Sequence, residues 1–219
     1  MPLFLTASKH NSYVWNVLQT NGNGKTNSKD ITNTGEYPFY KASCNNPSGT
    51  HNTFNFDGKE YLLIIKSGGS SSKPISKNYG IGKVFIVNGK CAANIAVFQL
   101  LPKTNDNFKY LYYYLKSVQN KIQGLAKYCT NNGNIDMKEL LEIKIPIPSL
   151  ERQKELVEYC DFNDDLIKQF EKEIENNKNQ AKNCITSIVK SQILEEQYET
   201  KTNKVIEEET IIEDENIIE

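Results

Sequence analysis

Ile143-Lys144-Ile145-Pro146-Ile147-Pro148-Ser149-Leu150-Glu151-Arg152-Gln153 divides the 219-residue chain into two physical regimes. All 12 glycines and all 7 prolines lie at or before Pro148. Glycine opens left-handed turns and proline interrupts helices and central strands, so the first regime is turn-rich and the second is free of breakers. The stretch itself reads as a closing strand, Glu142–Ile147, cut off by Pro146 and Pro148. A helix is predicted to start immediately after it.

Downstream, apolar residues recur at alternating spacings of four and three. The series is Leu156, Cys160, Asn163, Ile167, Phe170, Ile174, Asn177, Ala181, Cys184 and Ile188, eight of ten apolar in one register. Such a seam fits a coiled-coil partner. At 1.5 Å per residue the Leu156–Ile188 span is about 50 Å, more than a small domain would cover. Asn163 and Asn177 sit two heptads apart on the seam, where paired asparagines fix register. The expected dimerisation set is therefore Leu156, Asn163, Ile167, Phe170, Ile174, Asn177 and Ile188. Beyond Gln197 the chain turns acidic, and 199–219 is expected to be disordered.

Upstream, the pattern is mixed. Tyr37–Tyr40, Glu60–Ile65, Lys83–Asn88 and Ala93–Leu101 read as strands, with turn signals at Asp57-Gly58 and Asn88-Gly89. Phe108, Leu111, Leu115, Val118, Ile122 and Leu125 carry a helical period, with Asp106 near its start and Gly124 near its end. Asp136 and Glu139 have capping-box spacing before one more short helix. The expected fold class is α+β: a mixed domain over 1–148, a long helix over 149–198, and the acidic tail.

A net charge of −1 conceals an asymmetry. Residues 1–150 hold 17 Lys against 8 Asp and Glu, a balance of +9, while 151–219 hold 9 Lys and Arg against 19, a balance of −10. A basic domain suits a polyanionic partner. The five cysteines are scattered, with no C-x-x-C pair, which suits reduced thiols in a cytoplasmic setting. No run approaches the roughly 20 apolar residues of a membrane span, so no membrane role is expected. With two histidines in all, no metal centre or cofactor is expected.

No catalytic signature is present: there is no P-loop, dinucleotide fingerprint, nucleophile elbow or zincin motif. Gly22-Asn23-Gly24-Lys25-Thr26 lacks the spacing of a phosphate loop and reads as a polar turn. Cys44 and His51 flank one loop and form the only nucleophile–base pairing open to an enzyme reading. Loop 41–52 instead offers Lys41, Ser43, Asn45, Asn46 and His51, groups that bond base edges or phosphates. Loop 66–77 adds Lys66, Ser70, Lys73 and Lys77 around backbone amides, a composition that grips phosphates. These are the DNA-binding residues expected from composition.

Five segments, in order, resemble the specificity subunit of type I restriction–modification enzymes. They are Gly35–Ser43, Pro47–Lys59 with the following strand and Lys66–Ser70 turn, the aromatic helix Phe108–Leu115, the loop Thr130–Ile135, and Ile143–Gln153. The resemblance spans roughly Trp15 to Gln192, in a half-subunit form with one recognition domain and one conserved helix where the family usually has two of each. It implies a non-catalytic subunit that recognises double-stranded DNA, and adds Thr130 and Asn131, in the place of a DNA-facing loop, to the expected DNA-binding residues. The apolar seam of the single helix predicts a homodimer with a two-part palindromic target. The resemblance also implies methyltransferase and translocase–nuclease partners, to which S-adenosylmethionine, ATP and magnesium would belong. The acidic tail matches nothing in that pattern. The reading from a different class is a coiled-coil scaffold whose N-terminal domain binds protein.

Overall fold

The computed structural model describes residues 10–43, 45–69, 80–104, 106–129 and 132–215, with side chains described from 12 to 202. The chain runs β1 (His10–Tyr13), α1 (Val14–Val17), β2 (Leu18–Asn23), β3 (Tyr37–Tyr40), β4 (Thr50–His51), β5 (Tyr61–Ile65), β6 (Ser67–Gly68), β7 (Val84–Val87), β8 (Ala92–Ala93) and β9 (Val97–Pro102). It continues through α2 (Phe108–Ser117), α3 (Gln119–Gly124), β10 (Ala126–Cys129), β11 (Asn132–Ile135), α4 (Met137–Leu141), β12 (Lys144–Ile147) and α5 (Leu150–Glu215). The class is α+β, with one long C-terminal helix.

The central sheet has the order β2-β9-β5-β7 and is antiparallel throughout. All five residues of β5, Tyr-Leu-Leu-Ile-Ile, are buried, and the sheet explains that unbroken apolar run. On one face Leu62, Ile64 and Leu100 pack with Leu111, Leu115 and Ile122 of the helical layer. On the other face Tyr61, Leu63 and Val97 pack with Tyr40, Phe56 and Cys91. A strand covered on both sides loses the in–out alternation of a half-exposed one.

Several predicted elements are refined. The helix read as continuous from Phe108 is two helices that break at Val118. The Ser117 hydroxyl donates to Tyr114 O at 2.7 Å, a local bond that competes with the helical ladder. Its cap is Asn107, whose Oδ1 accepts from Tyr110 N at 3.2 Å, rather than Asp106. Ala93–Leu101 is two strands with a turn at 94–96. Asp136 does cap α4, accepting from Lys138 N at 2.9 Å, but Glu139 pairs with Lys127 instead of closing a capping box.

The first compact unit extends to Asp161, not to Pro148, because the opening turns of α5 are part of it. Gln153 is 1% exposed: its Nε2 donates to Asp106 Oδ1 and Pro148 O, and its Oε1 accepts from Asn107 N. Leu156 and Val157 are buried in the core, and Asp161 accepts from Tyr113 Oη and Lys109 Nζ. The second unit begins at Phe162. Its helix continues to Glu215, past residue 198, through the stretch expected to be disordered. Charge alone favours disorder there, but glutamate is a good helix former and no glycine or proline interrupts the run.

Candidate nucleic-acid interface

The predicted loops leave different elements, yet a chain of hydrogen bonds ties their ends together. Asn94 N donates to Tyr40 O at 3.1 Å, joining the β8–β9 turn to the start of loop 41–49. Asn94 Oδ1 accepts from Ala96 N at 3.1 Å, which closes the turn. Lys66 N then donates to Ala96 O, and Ile135 N donates to Lys66 O, both at 2.8 Å. Ser67 pairs with Asn134 across β6 and β11, so the bases of loops 69–80 and 129–132 are adjacent. The described ends of segments 41–52, 66–77 and 130–135 are thus linked by one chain of hydrogen bonds and strand pairing. On the small sheet there, Ser67, Asn134 and Lys127 lie in one cross-strand row on the solvent side. The opposite face is closed by Tyr128 against Gly133, where a Cβ would come 2.5 Å from the ring.

The individual predicted residues fare unequally. Asn45 is exposed, and Ser43 is half-buried with its Oγ accepting from Asn45 N at 3.2 Å. Asn46 is bonded within its own loop. Its Oδ1 accepts from Lys41 N (3.1 Å) and Ser48 Oγ (2.9 Å), and its Nδ2 donates to Lys41 O (3.0 Å) and Ser43 O (2.8 Å). That uses the whole bonding capacity of a primary amide, so Asn46 holds the loop's shape. His51 is likewise no surface group: it is 8% exposed, tilted against Phe39, and its Nδ1 accepts from Thr53 N at 3.0 Å. Lys41 is half-buried, and the Lys66 ammonium sits 5.0 Å from the centre of the Phe98 ring. Ser70, Lys73, Lys77, Thr130 and Asn131 lie outside the described residues, as does Cys44.

Composition alone missed the turn Asn94-Ile95-Ala96 and the segment Asn23–Ser28 that lines it. The run Ala93–Leu101 looks like one strand because the turn carries two apolar residues, Ile95 and Ala96. The asparagine at its head, bonding two residues on, was the available signal.

The buried Cys91 is not a reactive thiol. Burial pushes the Cys91 thiol up to about 11, only partly offset by the Tyr61 hydroxyl bonded to it. Burial, with the neighbouring Cys91, likewise pushes Tyr40 up to about 12. Hydrogen bonding and charge from Glu139 raise the Lys127 ammonium, which stays cationic on the solvent side of its sheet. Among the described residues no group of histidines, cysteines and carboxylates is placed to hold a metal ion, and no helix is long and apolar enough to cross a membrane.

On the helix, the large apolar seam residues past the first unit are exposed. Ile167, Phe170, Ile174 and Ile188 are 53, 52, 53 and 53% exposed. Leu156, expected to face a partner chain, is instead 4% exposed in its own domain's core.

Residues 14–183 match the family described as the type I restriction modification DNA specificity domain. The chain belongs to that family. A protein of Methanocaldococcus jannaschii bearing the name of a type I restriction enzyme MjaX specificity subunit is 33% identical over 125 residues, 54% of this chain and 29% of its own length. The type I restriction–modification S subunit of M. genitalium shares the fold with a TM-score of 0.61 at 20% identity, over 75% of this chain and 41% of that one. The HsdS subunit of Thermoanaerobacter tengcongensis gives 0.50 at 17%, over 72% and 38%. This specificity-domain chain therefore spans less than half the length of the relatives it matches. The family match ends at 183, so the last part of α5 lies beyond it.

Proposed function

We propose that this chain is the non-catalytic DNA-recognition component of a type I restriction–modification assembly, acting in the cytoplasm. The observation that carries this reading is that Tyr40, Lys66 and Ile135, at described ends of the three candidate segments, are linked through Asn94 and Ala96 in a basic domain. Amides, hydroxyls and lysines on such a surface read base edges and grip phosphates. Two copies associate through the seam from Asn163 onward, because an uncovered apolar stripe is most simply closed by two-fold pairing. The dimer then presents two recognition domains to a bipartite target and directs methyltransferase and translocase–nuclease subunits to it.

Selection from a random duplex library on the full chain tests the reading. A two-part palindromic consensus is expected, with affinity falling steeply as salt rises. Absence of any enriched sequence overturns it.

A further inference from the structure

A groove of about 630 Å³ separates the extended segment 23–28 from the turn Asn94–Ile95. Its walls are tied to each other. Gly24 N donates to Val97 O, Thr26 N to Ala93 O, and Asn94 Nδ2 to Ser28 Oγ, at 2.9, 2.9 and 3.0 Å. A side chain at position 24 would place its Cβ 2.2 Å from Ala93 O, so only glycine lets the segment lie this close to β8. Lys25, Thr26, Asn27, Ser28 and Asn94 line the groove beside one large apolar side chain. That side chain is Ile95, 69% exposed, more than any other large hydrophobic side chain described up to Asp161. It lies outside both buried clusters, and its backbone sits between Asn94, whose N–H donates to Tyr40 O, and Ala96, whose carbonyl accepts from Lys66 N.

On a DNA-facing surface, a branched aliphatic side chain among amides and a lysine has one matching feature. The C5 methyl of thymine is the apolar mark on a base edge in the major groove. We propose that Ile95 is a specificity-determining residue that packs on one thymine methyl per recognition domain, while Lys25 in the same groove meets a nearby phosphate. This rests on the reading of the domain as DNA-binding. It adds a contact that loop composition did not suggest, because the surrounding polar residues set strand position and the apolar one sets base identity.

The test uses the full chain and its selected target, with each thymine replaced in turn by deoxyuridine so that only the methyl is lost. One position per recognition domain is expected to weaken the native protein about fourfold, the equivalent of one buried methyl group at ~0.8 kcal/mol. Ile95→Ser should bind the thymine and uracil forms of that position equally, with an unchanged salt slope and unfolding midpoint. Lys25→Ala should weaken both forms alike and make the salt slope shallower by about 0.9. A native protein indifferent to every deoxyuridine, or an Ile95→Ser variant that still discriminates, overturns the assignment of Ile95 alone. Failure of the native chain to select any DNA overturns the DNA-binding reading and this inference together.

Discussion

Gln153 on the first turn of α5 donates to Asp106 Oδ1 at 2.9 Å while accepting from the neighbouring Asn107 N at 2.8 Å. One buried amide thus fixes the long helix to the segment that caps α2. Replacing it strands an amide N–H, a carboxylate oxygen and the Pro148 carbonyl at once. Gln153→Leu is expected to destabilise the domain by roughly 2–4 kcal/mol, since each orphaned buried group costs about 1–3 kcal/mol and losses partly relax. Denaturant unfolding of the full chain measures this. A loss below about 1 kcal/mol would show that water readily replaces the amide.

Asn45 and Asn46 are neighbours with separate roles. Asn45 is exposed, so Asn45→Ala should change the preferred base at one position by about 1–3 kcal/mol and leave unfolding unaffected. Asn46 has all four of its amide bonds inside the loop, so Asn46→Ala should weaken binding to every sequence and lower the unfolding midpoint. Library selection and thermal melts on the two variants decide between these roles. A shifted consensus from Asn46→Ala with normal stability would restore it as a base reader.

Loop 66–77 was assigned to the phosphates, and salt dependence tests that assignment. Each neutralised phosphate adds about −0.9 to the log–log slope. Lys73→Ala should make the slope shallower by about that amount and weaken selected and scrambled duplexes alike. An unchanged slope with altered sequence preference would reverse the assignment.

Particular residues show what the sequence could disclose. The start of α5 just after Pro148 is readable because glycine and proline are local breakers. The limit of the first unit at Asp161 is not, because it depends on Tyr113 and Lys109 reaching residues 48 and 52 positions away. Leu156 keeps the heptad spacing whichever surface covers it, so periodicity placed it on the seam while the fold placed it in the core. The choice of Asn46 and His51 rests on residue type, which does not reveal that Asn46 is bonded within its own loop or that His51 is buried. The short strands β6, β8 and β11 have two to four residues and carry glycine or alanine. They form because neighbours present edges to them, which no local propensity records.

Thiol reactivity gives an independent check on burial. Cys129 and Cys184 are exposed and Cys91 is buried. At pH 8 a small alkylating reagent should label the first two and spare Cys91 until the chain unfolds. Since the folded pKa of Cys91 lies above its ordinary value of 9.0, the thiol's contribution to stability is present below about 9 and lost as pH rises through about 11. Cys91→Ala should therefore flatten the alkaline limb of the stability profile. Rapid labelling of Cys91 in the folded protein would contradict its placement between the sheet and β8.

The dimer proposal makes opposite demands on two residues of one heptad series. Leu156 lies in the core at 4% exposure, so Leu156→Ala should cost about 2–5 kcal/mol of folding stability at any protein concentration. Phe170 lies at 52% exposure in the second unit, so Phe170→Asp should leave the first unit's unfolding unchanged and convert a dimer to a monomer. Light scattering at micromolar concentration separates the two effects. Orientation is tested through the asparagines, which lie symmetrically about Phe170 at positions 163 and 177. An antiparallel pair brings Asn163 of one copy opposite Asn177 of the other, twice, which would fix the register. In a background where the exposed Cys129 and Cys184 are serine, a mixture of Asn163→Cys and Asn177→Cys chains should form an intermolecular disulfide between unlike variants. Each variant alone should form none through the new cysteine. Crosslinking within each variant instead would establish a parallel pair, and a native chain that sediments as a monomer, unaltered by Phe170→Asp, would refute self-association altogether.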